Sequence, residues 1–435
     1  MRDRPRLPSS PAFWRSPLRG TRFTAVLGLV LLGGITVLFV TGLVSYAAYN
    51  PDLSPVNDTT PDKGLLGFYL FDWPAGPSWL YRLTQGTHVT LGVTLVPVLL
   101  AKLWSVVPKL FALPPARSLA HALERLSLLL LVGGGLFEFT TGVLNIQLEY
   151  VFPGSFYPLH FYGAWVFMSA FVVHAALKTP AAVRAVRSMR AVGSVGAARG
   201  DSGVADEAGL ASACPADEAG LASTRPAEPT ISRRGALRLV GASSLLLFLT
   251  TVGQSLGGPL RRTALLAPHG GADPGGGPNG FQINKTAAYA GITGAETSAD
   301  AWRLVVTGPA GTIRLGRADL LRLPQHSSSL PIACVEGWST ADQWWRGVRL
   351  RDLAALAGYD TAAVDLLVES LQRHGAFRRA ALRANQVSDP RSLLALYVNG
   401  EPLSLDHGFP ARIIVPALPG VHNTKWVARL TFGDL

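Results

Sequence analysis

In "LPIACVEGWSTADQWWRGVRL", Leu330 to Leu350, stands Cys334, one of two cysteines in the 435-residue chain. The run before it is apolar and strand-like, and Gly337 offers a turn just after it. A thiolate at a loop mouth is a soft ligand, suited to a soft or transition metal. Zinc would need further ligands nearby, and the other cysteine, Cys214, lies in a remote, dissimilar segment. A metal held by one protein thiolate must take its other ligands from a cofactor. The alternative is a buried structural cysteine.

The histidines suggest a second chemistry. Four of the nine fall in or beside long apolar runs. His160 and His174 are fourteen residues apart, which returns them to within about 40° of one helix face and separates them by about 21 Å. Two ligands on one face, one near each leaflet, fit two stacked haems. Ionisable groups inside a membrane are costly and usually functional. Each haem needs a second axial ligand. His88 in the second apolar run is matched to His160, and His121 at the start of the third to His174. Gly86 and Gly163 are expected to leave room for a flat macrocycle. For a lone membrane histidine the other reading is a hydrogen bond to a neighbouring helix. Glu138, in the third run, either moves protons for a quinone or is a carboxyl satisfied by nearby hydroxyls. This arrangement resembles the diheme cytochrome b subunits of membrane oxidoreductases over roughly residues 20 to 180. The resemblance implies one or two haems b and an electron carrier such as quinol. The first apolar run lacks a histidine, a departure that bears on the inner haem.

Elements long enough to position these groups are plain in the composition. The chain is 48% hydrophobic and 15% charged, against about 25% charged in soluble domains. Five apolar segments stand out: from Phe23, Leu83–Ala101, Leu126–Ile146, Phe156–Leu177 and Leu239–Leu256. A spanning helix needs about 20 residues. The net charge of +11 is spread beside these runs rather than gathered in a patch, a pattern of membrane topology and not of nucleic-acid binding. Six arginines precede the first run, which predicts a cytoplasmic N-terminus. The loops then alternate, acidic at 50–78 and around Glu149, basic at 102–125 and 178–199. The C-terminal part is therefore expected outside the cytoplasm, and Cys214 and Cys334 on opposite sides, unable to pair.

Residues 181–231 read as a flexible cytoplasmic linker. They are rich in Ala, Gly and Ser and repeat "ADEAGLAS" at Ala205 and Ala216. "SRRGALRLVGASSLLLFL" opens segment 232–258, either a fifth spanning helix with a basic flank or a twin-arginine-like signal. A Gly/Pro linker, 259–280, precedes the last domain, 281–435. There "WRLVVTG", "TIRL", "AVDLLVESL", "LLALYVNG" and "ARIIVPAL" read as strands, "RADLLRL" and "LRDLAALAG" as short helices, and Asn399-Gly400 as a hairpin turn.

"ACVEGWS", "GVRLRDLAALAG", "VESL", "NGEPLSLDHGFPARIIVP" and "TKW" together resemble the sulfite oxidase family of molybdopterin enzymes, in order, across residues 281 to 435. The resemblance implies that Cys334 binds molybdenum, with two further sulfurs from the pterin. It implies that Asn284, Ser370, His407, Arg412, Asn423, Thr424 and Lys425 contact the pterin and its phosphate. Arg412 and Lys425 suit a phosphate. Sulfite oxidases carry arginines just after the cysteine, whereas here Val335, Glu336, Gly337 and Trp338 follow. "CVEGWS" looks more like the periplasmic branch that reduces methionine sulfoxide, and an ionised Glu336 disfavours an anionic substrate. The expected fold is a membrane all-α four-helix cytochrome b-like bundle (1–180) with a fifth transmembrane helix, followed by an α+β sulfite-oxidase-type molybdopterin domain. The expected activity is oxo transfer on a small substrate, most simply sulfoxide reduction. The alternatives are sulfite oxidation and a cofactor-free binding module on a haem membrane protein.

Overall fold

The structure, a computed structural model, describes residues 16, 18–53, 56, 70–111, 118–146, 156–197, 231–256, 258–267, 275–360, 364–373 and 377–435. Cys214 and the duplicated linker lie outside these.

Long apolar runs without interior charge form helices because every backbone polar group is then satisfied within the segment. Five of the described helices are long and apolar enough to cross a membrane: α1 (Thr21–Ala47), α2 (Leu80–Leu110), α3 (Leu119–Asn145), α4 (Tyr157–Ala197) and α5 (Arg233–Leu249), the last continuing through a break into α6 (Gly253–Leu256). Only 11–28% of each spanning window is buried against protein, which leaves leucines and valines facing outward as lipid requires.

The chain forms two compact units. One comprises residues 1–33, 96–133 and 167–244. Within it Lys102 Nζ donates to the Thr24 carbonyl at 2.7 Å, and the Arg19 guanidinium lies over Trp104 at 4.2 Å. The second comprises residues 34–95, 134–166 and 245–435. It therefore combines helix segments bearing His88, Glu138 and His160 with the whole C-terminal domain.

That domain is α+β, with two five-stranded sheets. In one the order is β2 (Gly311–Leu315), β1 (Leu304–Gly308), β10 (Val427–Gly433), β5 (Asp365–Ser370), β6 (Arg379–Leu382), and only the β1–β10 pair is parallel. In the other the order is β3 (His326–Leu330), β4 (Gln343–Arg349), β7 (Leu393–Val398), β8 (Glu401–Pro402), with β9 (Arg412–Ile414) also pairing β7. Short helices α7 (Ala287–Ala290), α8 (Arg317–Arg322), α9 (Leu350–Leu356) and α10 (Ala384–Ser388) fill the connections. β7, "LLALYV", is buried at five of six positions because it lies inside its sheet. Its hairpin turns at Asn399 and Gly400, both with positive φ, as an Asn-Gly turn favours.

Side chains of the two parts of this unit interlock. Asn50, after α1, and Gln386 in α10 exchange reciprocal amide hydrogen bonds of 3.0 and 3.2 Å. The Trp73 indole donates to the Ala417 carbonyl at 2.7 Å, and all three side chains named first are buried.

Candidate functional site

Residues 330–334 do not continue a strand. β3 ends at Leu330, because Pro331 has no N–H for the ladder. Ala333 instead bridges Ser339 and Pro419, and a tight loop follows. Its closure is made by Cys334 N–H donating to the Trp338 carbonyl (2.8 Å) and Gly337 N–H donating to the Cys334 carbonyl (3.1 Å). Gly337 has φ +90°, and any Cβ there would press into Val89 of α2. Cys334 is free and 2% exposed. Burial, reinforced by the Glu336 carboxylate, pushes its pKa well above the usual thiol range. The bare thiol is therefore inert, and becomes a thiolate only when a cation stabilises that form. Glu336 is itself held by the Trp338 indole N–H at 2.7 Å.

The Cys334 loop is fastened to the helices. The Gln85 amide of α2 donates to the Val335 carbonyl. Ser255 of α6 donates to the Gly337 carbonyl at 2.5 Å, and Ser339 N–H donates to the Gln254 carbonyl at 2.9 Å.

In the same domain are two neighbouring cations, the buried Arg412 and the partly buried Lys425. Arg412, 4% exposed, donates to the carbonyls of His407 (3.0 Å) and Asn423 (3.1 Å), and its Nε finds no partner among the described residues. Burial lowers its pKa to about 9. Lys425 donates to the carbonyls of Lys285 and Asp406, and lies within electrostatic reach of both Arg412 and Cys334. Burial pushes its pKa well down. Gly408, at φ +107°, lets the chain turn between the Arg412 and Lys425 stems, where a Cβ would stand 3.1 Å from each. The His407 ring stacks on Phe281 (centroids 3.9 Å) and its Nε2 meets the Asn279 carbonyl at 2.8 Å. Burial first, then Arg412, lowers its pKa to about 4.

In the helices, the rings of His88 and His160 face each other with centroids 6.1 Å apart and planes at 85°. His88 Nδ1 meets the Leu38 carbonyl at 2.9 Å. His160 Nδ1 lies 3.0 Å from the Thr141 hydroxyl and 3.2 Å from a Glu138 carboxylate oxygen. Neither Nε2 has a hydrogen-bond partner among the described residues.

Comparison with known proteins fits the C-terminal geometry. The family model of the oxidoreductase molybdopterin binding domain matches residues 291–434. Residues 291–434 are thus an oxidoreductase molybdopterin-binding domain, similar in sequence to sulfite oxidases. Mitochondrial sulfite oxidase of Rattus norvegicus is 32% identical over 158 residues, covering 30% of this chain and 29% of that protein. The uncharacterised oxidoreductase YuiH of Bacillus subtilis is 33% identical over 132 residues, covering 30% of this chain and 65% of its own length. Among solved structures, the sulfane dehydrogenase SoxCD of Paracoccus pantotrophus is 26% identical, with a TM-score of 0.29, covering 32% of this chain and 39% of that one. The chain thus spans under a third of the mitochondrial sulfite oxidase it matches.

The residues of the molybdopterin domain fit a phosphate-bearing cofactor. Arg412 is buried, and its Nε and the Thr424 hydroxyl are without partners among the described residues, while the partly buried Lys425 beside them feels the Asp406 carboxylate. A buried charge is costly unless paired, so an anion placed beside Arg412 would fit these groups. His407, Arg412, Asn423, Thr424 and Lys425 converge. Ser370 and Asn423 spend oxygens on the backbone: Ser370 donates to the Lys425 carbonyl at 2.7 Å, and Asn423 accepts from Val415 N–H at 2.8 Å. Asn284 is exposed in the loop before α7. His174 is half-buried on α4, and the side chain of His121 on α3 lies outside the description. Gly86 packs on Ser255 and Gly163 on Glu138 and Phe137. The glycines against the facing rings are instead Gly42 and Gly142. Gln85 and His422 were not singled out from sequence. The signals available were the Gln85/His88 spacing of three and the place of His422 next to Asn423.

Proposed function

We propose that this chain is a membrane-anchored molybdopterin-dependent oxidoreductase that exchanges electrons between a quinol pool and an oxo-transfer substrate outside the cytoplasm. The observation that carries the reading is the seat of the Cys334 loop on α2. Gln85 holds the carbonyl next to Cys334 and stands one helical turn from His88. Chain atoms and one hydrogen bond thus connect the molybdenum ligand to a candidate haem ligand.

Cys334 would hold the metal, and Arg412, Lys425, Thr424 and His407 the pterin and its phosphate, with Asn423 and Ser370 fixing that backbone and Asn284 at the rim. Bound there, the cofactor supplies two-electron oxygen-atom exchange. His88 and His160 would hold haem b. A metal about 2 Å from a nitrogen of each ring requires centroids roughly 6 Å apart, matching the 6.1 Å observed. The Nδ1 contacts fix both rings with Nε2 available, the usual support of a ligating histidine. His121 and His174 are proposed for a second haem on the same spacing argument. The basic flank of α1 supports a cytoplasmic N-terminus.

The substrate is proposed to be a neutral oxide of the sulfoxide type. Glu336 lies within the Cys334 loop, and the cations Arg412 and Lys425 are assigned to the cofactor's phosphate rather than to a sulfite dianion. Purified protein tests the whole. One molybdenum and haem b per chain are expected, with methionine sulfoxide oxidising the dithionite-reduced haem. Haem reduction by sulfite instead would reverse the direction, and absence of molybdenum would leave the binding-module alternative.

A further inference from the structure

His422 is 1% exposed, and neither ring nitrogen has a hydrogen-bond partner among the described residues. Leaving a buried polar group unpaired costs about 1–3 kcal/mol, so such a group points to a ligand. Its place is beside the metal ligand. The turn Gly420–His422 is tied to the residue before Cys334 by Gly420 N–H donating to the Ala333 carbonyl at 2.7 Å. The opposing surface comes from the helices. The His422 ring meets Tyr49 edge-on, with centroids 5.9 Å apart. The hydroxyls of Tyr49 and Tyr81 are 3.4 Å apart. Tyr81, the second residue of α2, is within electrostatic reach of Cys334. Tyr157 of α4 and Trp73 pack on these rings, with centroids 5.4 Å from Tyr49 and 6.5 Å from Tyr81 respectively.

We infer that His422 together with the helix-borne tyrosines Tyr49 and Tyr81 forms the recognition wall for the substrate oxygen, so that the membrane helices complete the substrate site of the molybdopterin domain. The inference rests on the sulfoxide-type reading above. A neutral imidazole keeps one N–H donor, and a phenol offers another. Burial holds His422 neutral at pH 7, its pKa near 4. Neutral donors in an aromatic surround suit an oxide oxygen on an otherwise apolar, uncharged group. An oxyanion would call for a guanidinium at this position.

The test uses the full chain, loaded with molybdenum, in detergent. Reduced viologen dye drives reduction of methionine sulfoxide, so haem transfer is bypassed. Tyr81→Phe and Tyr49→Phe each delete one hydroxyl, His422→Leu deletes the imidazole, and His422→Asn restores a donor. One lost hydrogen bond corresponds to about a tenfold change in binding. KM is therefore expected to rise about tenfold in His422→Leu and Tyr81→Phe, with kcat within about threefold and partial recovery in His422→Asn. Dimethyl sulfone, titrated against tryptophan fluorescence, gives a readout without turnover, and its Kd is expected to shift by the same factor. Molybdenum content and melting temperature report folding, and the isosteric Tyr81→Phe stands in if His422→Leu fails to fold. Unchanged KM and sulfone Kd in Tyr81→Phe and in a folded His422→Leu would overturn the inference, as would sulfite displacing the sulfone with higher affinity. A wild-type protein that reduces no sulfoxide sinks the functional reading instead, and the sulfone titration still decides the wall.

Discussion

Arg412→Met separates an anion ligand from a structural tie. The Arg412 side chain donates two hydrogen bonds to backbone carbonyls and has no carboxylate partner among the described residues. Hydrogen bonds from a charged donor contribute about 1.5–3 kcal/mol each, so roughly 3–6 kcal/mol favours the native side chain. Against this stands the desolvation of a buried guanidinium, itself several kcal/mol. Its direction is visible in the fall of the pKa from 12.5 to about 9. The two effects nearly cancel, so the cofactor-free protein should change in stability by about 2 kcal/mol or less. With a phosphate bound the balance differs. Removing one partner of a buried ion pair costs about 3–5 kcal/mol, a loss of roughly 10²–10³-fold in cofactor affinity. Arg412→Lys, which keeps the charge and loses the fork, should fall between. Melting curves of full-length protein made with and without molybdopterin measure the first effect. Pterin retained after gel filtration, read as its fluorescent oxidation product, measures the second. Pterin retention within about threefold of wild type, with the cofactor-free protein destabilised by more than about 3 kcal/mol, would falsify the anion-ligand argument.

Acid should destabilise the molybdopterin domain. His407 and His422 both have pKa values near 4 in the fold and near 6.5 when unfolded. Between those values the unfolded chain binds protons that the native one does not, so stability rises with pH across the window. It is complete above pH 6.5 and is lost as pH falls toward 4, by roughly 3 kcal/mol per histidine. Denaturant midpoints at pH 7 and 5 should converge in a His407→Phe/His422→Phe variant if that protein folds. Gly337→Val places a branched side chain at φ +90° against Val89, so molybdenum content should fall while the haem spectrum persists. Cys334→Ser should abolish molybdenum-dependent activity, since a hydroxyl is a hard, weakly acidic ligand. His88→Ala should lose haem and quinol-linked turnover and keep dye-driven turnover. Equal quinol-linked rates would remove α2 from the electron path.

The spans were legible because a bilayer imposes one rule, a long apolar run, and local composition states it without reference to neighbours. Their starts at Phe23, Leu83, Leu126 and Phe156 fall close to the helices found. The strands "LVVTG" and "LLALYV" were legible by apolar runs, and Asn399-Gly400 by backbone preference. β3 "HSSSL" and β4 "QWWRGVR" were not. β3 lacks an apolar pattern, and both strands exist because they pair with each other and with β7. The motif residues around Arg412 could be named from sequence, but sequence could not say that Ser370 and Asn423 are spent on backbone, since a hydroxyl or amide bonds whatever the fold brings to it. Most dependent on tertiary structure is the company kept by Cys334. Gln85, Tyr81 and Ser255 reach its loop across 82 to 253 positions of chain. No local pattern encodes a contact at that separation, because packing of whole elements, and not the propensity of any segment, brings those atoms together.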